Sequence, residues 1–265
     1  PGAMPLNHGD MAVCRDITRW RETVHAPDIE SACTEGWDEC RRKAREAAGD
    51  EQLVAGFMGT GIFEQCHFLM GFEPTLTNLY EHPDEMHELI DCITQFELDY
   101  AAELCKYVKP DALFHHDDWG SQISTFLSPD MFREFIKPAF MKIYGYYKSH
   151  GVQVIAHHSD SYAATLVPDM IDMGIDIWQG VMTSNNVPEL IRKYGGKISF
   201  MGDIDSAKVD YEGWTKEVVQ AEVDRACAEC GTLYFIPNAS QGLPMSTFPG
   251  VYEALSEAID NCSKR

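Results

Sequence analysis

Short apolar runs alternate with longer amphipathic segments along most of the chain. The runs are rich in Val, Ile, Leu and Phe and predict six strands, at 53–58, 112–115, 152–156, 175–178, 197–201 and 233–236. The segments between them carry apolar residues at helical spacing or clear helix start and stop signals. They predict helices at 27–48, 62–70, 83–108, 128–150, 163–173, 187–194, 213–229 and 249–262. Pro138 is expected to bend the helix at 128–150 or split it in two.

The alternation of strand and helix predicts the fold class. Strands too apolar to have a face in water indicate a parallel sheet covered by helices. Six such units suit an α/β fold of the TIM (β/α)8 barrel type that lacks one or two N-terminal units, since the sequence begins in loop-like residues without an initiator Met. We predict a single domain over 1–265. A doubly wound open sheet is the alternative, although Gly59-Thr60-Gly61 lacks the third glycine of a dinucleotide-binding loop.

Amino-acid composition excludes several classes of binding partner and says little about the fold. The chain has 42 acidic against 21 basic residues, a net charge of −21, which argues against nucleic acid and anionic membranes as partners. No apolar run reaches the length of a membrane span and no signal-peptide pattern is present. Nine cysteines without a disulfide framework predict reduced thiols in a cytoplasmic protein.

Polar, titratable side chains gather where the predicted strands end, which is where the active site of a βα barrel lies. Four of the ten histidines fall at two strand ends, in His115-His116-Asp117-Asp118 and His157-His158-Ser159-Asp160. Because buried charges cost several kcal/mol unless they are paired or ligated, this pattern favours an enzyme over a structural protein.

The same side chains allow two kinds of chemistry. His158 and Asp160, joined by His116, Asp117 or Asp118, form the nitrogen and oxygen donor set of Zn²⁺ or a related divalent ion. Alternatively, a histidine oriented by a carboxylate performs acid–base catalysis without metal. A third interpretation is that individual members only tie loops together by hydrogen bonds. The pair Cys227 and Cys230 is isolated late in a helix and does not predict a redox or zinc site.

Several of these segments together resemble a known family. They are DALFHHDDWGSQ (111–122), SPDMFREFIKP (128–138), HHSDS (157–161), MGDID (201–205) and a closing P-N-x-S-x-G-L-P (237–244). In this order they are similar to the uroporphyrinogen decarboxylase superfamily, and within it to the branch of cobalamin-linked methyltransferases, including O-demethylation enzymes. The resemblance covers residues 53–260 and implies a TIM barrel.

The resemblance also implies roles for individual residues. We expect catalytic roles for His116, Asp117, Asp118 and His157, and metal ligation by His158 and Asp160. We expect substrate contacts from Trp119, Gln122, Trp178, Asn238 and Ser240. One branch of the family holds zinc with H-x-C and a distant cysteine, but this chain has His158-Ser159-Asp160 and, near the distant position, Ser240. The missing thiols favour an oxygen- and nitrogen-rich metal site, or none.

The function implied by the resemblance is methyl transfer between a small donor, such as a methyl ether, and the cobalt of a corrinoid. The cobalamin is expected on a separate corrinoid protein, since the chain has no D-x-H-x-x-G stretch. The resemblance is compatible with a homodimer. Decarboxylation of a porphyrinogen or a small aromatic acid is the alternative reaction. A third alternative is a binding protein that has kept the barrel without the chemistry.

Overall fold

Six strands alternate with helices in the chain. The computed structural model describes residues 9–32, 36–242 and 246–264. The strands are β1 (Ala55–Gly59), β2 (Ala112–His116), β3 (Val154–His158), β4 (Ile177–Val181), β5 (Ser199–Ile204) and β6 (Phe235–Ala239). The helices of the first half are α1 (Ile29–Ala32), α2 (Trp37–Ala48), α3 (Ile62–Met70), α4 (Phe72–Glu81) and α5 (Pro83–Tyr107). Those of the second half are α6 (Pro129–Met131), α7 (Lys137–Ser149), α8 (Val167–Asp172), α9 (Val187–Tyr194), α10 (Ser206–Val209), α11 (Lys216–Cys230) and α12 (Val251–Ser263).

The chain divides into two compact units. The described part of the first unit comprises residues 9–32, 36–117, 127–155 and 172–174, and that of the second comprises 118–126, 156–171, 175–242 and 246–264. In the first unit β1 pairs with β2 in parallel, with Met58 opposite His115 and Gly59 opposite His116. In the second unit the residues of β3 pair with β4, β4 with β5, and β5 with β6, all in parallel.

The core of the first unit forms around the long helix α5. Its apolar stripe of Met86, Leu89, Ile90 and Ile93 is buried, as the helical spacing predicts, and α5 packs along α7. In the second unit α11 packs against α12, and the buried ring of Trp178 on β4 packs edge-on against Phe200 of β5.

The helix after Ser128 is divided into segments, as Pro138 predicts. A π-helical turn over Phe132–Ile136 separates α6 from α7, and Pro138 is the second residue of α7. Proline has no N–H to donate to the carbonyl of Glu134, so the regular α-helical ladder cannot run through this point. The Ser128 hydroxyl caps the start of the segment by accepting the N–H of Met131 at 3.3 Å.

Five of the six observed strands begin two residues later than the sequence predicts, and β2 begins at Ala112 as predicted. His115 and His116 are the last residues of β2, and His157 and His158 are the last residues of β3, whereas the predicted strands end at His115 and Ala156. Parallel pairing holds their backbone, so their side chains project from regular strand positions and not from loops. None of the helices formed by the described residues combines the length and the apolar composition of a membrane span.

Candidate functional site

Asp117 joins the end of β2 to the start of α3 in the first unit. Its carboxylate accepts the backbone N–H groups of Phe63 at 3.0 Å and Glu64 at 2.8 Å, and the side chain is fully buried. These N–H groups are among the first of the helix, so Asp117 satisfies donors that the helix itself leaves without partners. Gly61 is required beside it, since a Cβ there would lie 2.6 Å from the Cβ of Asp117.

His116 lies at the end of β2 and is 29% exposed. Its Nδ1 lies 2.7 Å from Oε2 of Glu64, a buried carboxylate in the first turn of α3. The backbone also links the two elements, since Gly61 N–H donates to the carbonyl of His116 at 2.6 Å. His116 is therefore anchored through both its backbone and its imidazole.

A second carboxylate–histidine pair lies deeper in the first unit. Oε2 of Glu97 lies 3.3 Å from Nε2 of His115, both side chains are fully buried, and the aromatic rings of Phe140 and Tyr144 pack against the imidazole. Burial, and then the charge of Asp117, raise the pKa of Glu97 well above its usual range. Burial, and then the charge of His116, lower the pKa of His115 to about 3. This environment therefore favours uncharged forms of both groups.

The raised pKa of Glu97 predicts a pH dependence of stability. The folded state binds this proton more tightly than the unfolded state, so the stabilising contribution is present at acidic pH and is lost as the pH rises from about 4.5 toward the higher folded pKa. In Glu97→Gln this loss is expected to disappear. The slope removed approaches about 1.4 kcal/mol per pH unit for one proton. Urea unfolding at a series of pH values measures it.

Glu103→Gln is the matched control, because it removes a carboxyl from the same helix, where Glu103 pairs with Lys106. The control is expected to keep the pH slope of the wild type. Equal slopes in wild type and Glu97→Gln would contradict the pH assignment.

Asp118 and His158 come together in the second unit. Oδ1 of Asp118 lies 4.0 Å from Nε2 of His158, and the same oxygen accepts the backbone N–H of Asp160 at 3.0 Å. On its other side, His158 donates Nδ1–H to the side-chain oxygen of Gln179. Gln179 lies opposite His158 in the pairing of β3 with β4, so the register of the two strands places these side chains next to each other.

The separation between Asp118 and His158 is close to that of two ligands of one cation. Zinc bonds to imidazole nitrogen and carboxylate oxygen are each about 2.0–2.2 Å long, so two tetrahedral ligands lie about 3.4 Å apart. The two donor atoms lie 4.0 Å apart, and a small side-chain movement would bring them to a shared ion. The Nδ1–H of His158 is held by an acceptor, which leaves Nε2 as the nitrogen that could bind an ion, as in metal sites with an outer hydrogen-bonding shell.

Two tryptophans pack beside this group of residues. The ring of Trp119 stacks on the imidazole of His157 with 3.9 Å between centroids, and both side chains are buried. Trp178 is fully buried and donates its Nε1–H to the carbonyl of Ser159 at 2.9 Å. Both rings hold the β3 end in place, and their predicted roles with substrate remain predictions, as does the catalytic role of His157.

The remaining predicted substrate contacts lie on different elements. Gln122 is exposed in the segment after β2, and Asn238 is half-buried on β6 opposite Asp203. Ser240 is buried and hydrogen-bonds the carbonyl of Ile204 through both its hydroxyl, at 3.2 Å, and its N–H, at 3.0 Å. The roles of these three residues stay predictions. The last two residues of the closing motif, 243 and 244, fall outside the described part of the chain.

Among the residues that the structure describes, the cysteines form no disulfide and belong to no group of three or more metal-ligand side chains. Sγ of Cys230 lies 3.4 Å from Oδ2 of Asp203, and burial raises the pKa of that thiol. Burial also raises the pKa of Cys66. Thiols held in the neutral form are poor ligands and nucleophiles. This agrees with the sequence, which favours oxygen and nitrogen atoms as the ligands of any metal.

Glu64 and Gln179 are site residues that sequence reasoning missed. Glu64 is the third residue of α3, in a helical pattern that gives it no special signal. Gln179 follows an apolar run, which marks it as the end of a strand but does not show that its side chain contacts His158. A rule that pairs each polar strand tip with the tip of its neighbour would have found Gln179.

Comparison with known proteins identifies the family. The uroporphyrinogen decarboxylase (URO-D) family model matches residues 15–262. A solved methyltransferase from Methanosarcina mazei is similar in fold, with a TM-score of 0.66 and 19% identity over 89% of this chain and 70% of that one. The 3-keto-D-glucoside 4-epimerase from E. coli matches with a TM-score of 0.40 and 10% identity, over 80% of this chain and 99% of that one. No curated protein matches the sequence.

The match to the methyltransferase structure confirms the predicted α/β fold of the TIM-barrel-like kind. The family model extends over nearly the whole chain and includes every residue singled out above. The chain belongs to the uroporphyrinogen decarboxylase family.

Proposed function

We propose that this protein is a methyltransferase that moves a methyl group from a small donor, such as a methyl ether, to the cobalt of a separate corrinoid protein. The observation that carries the proposal is the donor set of Asp118 and His158, held by Asp160 and Gln179. The name of the Methanosarcina mazei structure, a methyltransferase, supports the same reaction class.

The proposed ligands are His116, Asp118 and His158, which together offer one carboxylate oxygen and two imidazole nitrogens for a divalent ion such as Zn²⁺. Asp160 is proposed to orient Asp118 through its N–H and to remain a candidate ligand itself. A bound ion would supply Lewis acidity at the donor oxygen.

The chain's own residues then have defined tasks. When the methyl group leaves oxygen as an electrophile, the oxygen keeps the bonding electron pair and develops negative charge. Imidazoles and N–H donors at the strand ends are proposed to stabilise this charge and to hold the donor in line with the attacking cobalt(I), which supplies the new electron pair. Trp119 and Trp178 are proposed to shape the walls of the substrate pocket.

Methyl transfer to free cob(I)alamin tests the proposal directly. The protein, supplied with Zn²⁺ and either methanol or a methoxybenzoate, is expected to convert cob(I)alamin to methylcobalamin, followed by its absorption spectrum. Uroporphyrinogen with the same preparation serves as the competing substrate. Release of CO2 from uroporphyrinogen, with no methylcobalamin from any methyl donor, would overturn the proposal in favour of decarboxylation.

A further inference from the structure

The contact between Glu64 and His116 does more than join α3 to β2. The distance of 2.7 Å from Nδ1 to Oε2 is at the short end for an N–H···O bond, as expected when one partner is charged. Glu64 is only 6% exposed, so this hydrogen bond is poorly accessible to competing water. A buried carboxylate without such a donor would be costly.

The chemistry of this contact selects the form of the imidazole. An ionised carboxylate has only acceptor sites, so opposite an ionised Glu64 the proton lies on Nδ1 of His116. In a neutral imidazole the other nitrogen, Nε2, then carries the lone pair. Neutral histidine in water prefers the opposite tautomer, so the carboxylate selects the less common form.

The backbone around the pair makes this selection rigid. Asp117, the neighbour of His116, accepts the N–H of Glu64 itself at 2.8 Å, and Gly61 N–H donates to the carbonyl of His116 at 2.6 Å. These backbone hydrogen bonds hold the main chains of the two partners beside each other. Rotation of either side chain would break the contact between Nδ1 and Oε2.

We infer that Glu64 is a positioning residue that holds His116 as the Nδ1–H tautomer and so makes Nε2 its ligand nitrogen. The purpose of this role depends on the proposed function, since the Nδ1–H tautomer would prepare His116 to bind the divalent ion. The hydrogen bond itself belongs to the metal-free protein. Gln179 holds His158 in the same tautomer through a neutral acceptor, so the two imidazoles are prepared alike.

Nitrogen-15 NMR of the metal-free protein tests the inference without reference to activity. In alkaline buffer, where the imidazole is neutral, the His116 signals are expected to show a protonated Nδ1 and an unprotonated Nε2. Assignment comes from the signals lost in His116→Gln. A protonated Nε2 on His116 in the wild type would overturn the inference at once.

Three variants separate positioning from simple packing. Glu64→Leu is expected to lose the Nδ1–H tautomer, whereas Glu64→Gln, whose amide oxygen still accepts, is expected to retain it. Glu103→Gln, a carboxyl removed elsewhere in the same unit, is expected to leave the His116 signals unchanged. An unchanged tautomer in Glu64→Leu would overturn the role of Glu64. Should Glu64→Leu not fold, Glu64→Ala takes its place, and an unchanged tautomer in that variant would overturn the role of Glu64.

A titration with Zn²⁺ on the same samples distinguishes this inference from the proposed function. With both correct, Zn²⁺ shifts Nε2 of His116 in the wild type, and Glu64→Leu binds Zn²⁺ about 10–100-fold more weakly. If the wild type shows the expected tautomer but its Nε2 does not respond to Zn²⁺, the proposed metal site fails and the role of Glu64 in fixing the tautomer stands.

Discussion

His158→Ala is expected to lower the affinity of the protein for Zn²⁺ by about a hundredfold or more. Changes to outer-shell partners of metal ligands cost about 10–100-fold, and removing a ligand exceeds that. Methyl transfer is expected to fall in parallel, since the remaining donors, His116 and Asp118, would hold the ion without the imidazole of His158. Elemental analysis and competition with a chromophoric chelator measure the affinity.

His150→Ala is the control for His158→Ala. His150 is an exposed histidine at the end of α7, where its ring contacts Tyr146. Its loss is expected to leave zinc content and methyl transfer unchanged. Full zinc occupancy in His158→Ala would contradict the assignment of His158 as a ligand.

Asp117→Ala is expected to lower the free energy of unfolding by about 3 kcal/mol. The change leaves the N–H groups of Phe63 and Glu64 buried without an acceptor, and each such group costs about 1–3 kcal/mol. It also removes a negative charge from the start of α3. Denaturant unfolding measures the loss.

Two further variants show what the carboxylate of Asp117 contributes. Asp117→Asn keeps an acceptor oxygen and is expected to lose about 1 kcal/mol. Asp205→Ala removes a more exposed cap, which accepts the N–H of Ala207, and is expected to cost about 1 kcal/mol. A stability of Asp117→Ala within 1 kcal/mol of the wild type would contradict the capping role. Loss of methyl transfer in a stable Asp117→Asn would support the predicted catalytic role.

Helix ends were the most predictable part of this fold. The predicted bounds of 62–70 and 187–194 are those observed, because glycine or proline stands at or next to the ends of both segments. By contrast, α4 was not predicted. Gly71 ends α3 with a positive φ and also starts α4, so the sequence shows a break where the chain only changes direction.

Strand ends were harder to predict because the last residues of the strands are polar and titratable. The hydrophobic pattern stops before His115 and His157, yet the parallel ladder includes both residues and the histidine after each of them. Backbone hydrogen bonding does not depend on side-chain polarity, so a strand can continue beyond its apolar run into polar residues. The same excess of polar residues is what marked the site.

Predicting the contacts between the site residues requires information that a single sequence does not carry. The grouping of Asp118 with His158 could be anticipated, because neighbouring parallel strands end at one edge. The contact of Glu64 with His116 joins residues 52 positions apart, and that of Gln179 with His158 depends on strand register. Both contacts arise from tertiary packing, which the spacing of hydrophobic residues does not predict.

X-ray absorption at the zinc edge of the zinc-loaded protein identifies the atoms that bind the ion. A site built from the proposed ligands is expected to give a shell of nitrogen and oxygen atoms at about 2.0–2.1 Å, with the outer scattering of imidazole rings. No sulfur is expected at about 2.3 Å, although the chain has nine cysteines. A sulfur shell, or a protein that retains no zinc, would contradict a metal site built from His116, Asp118 and His158.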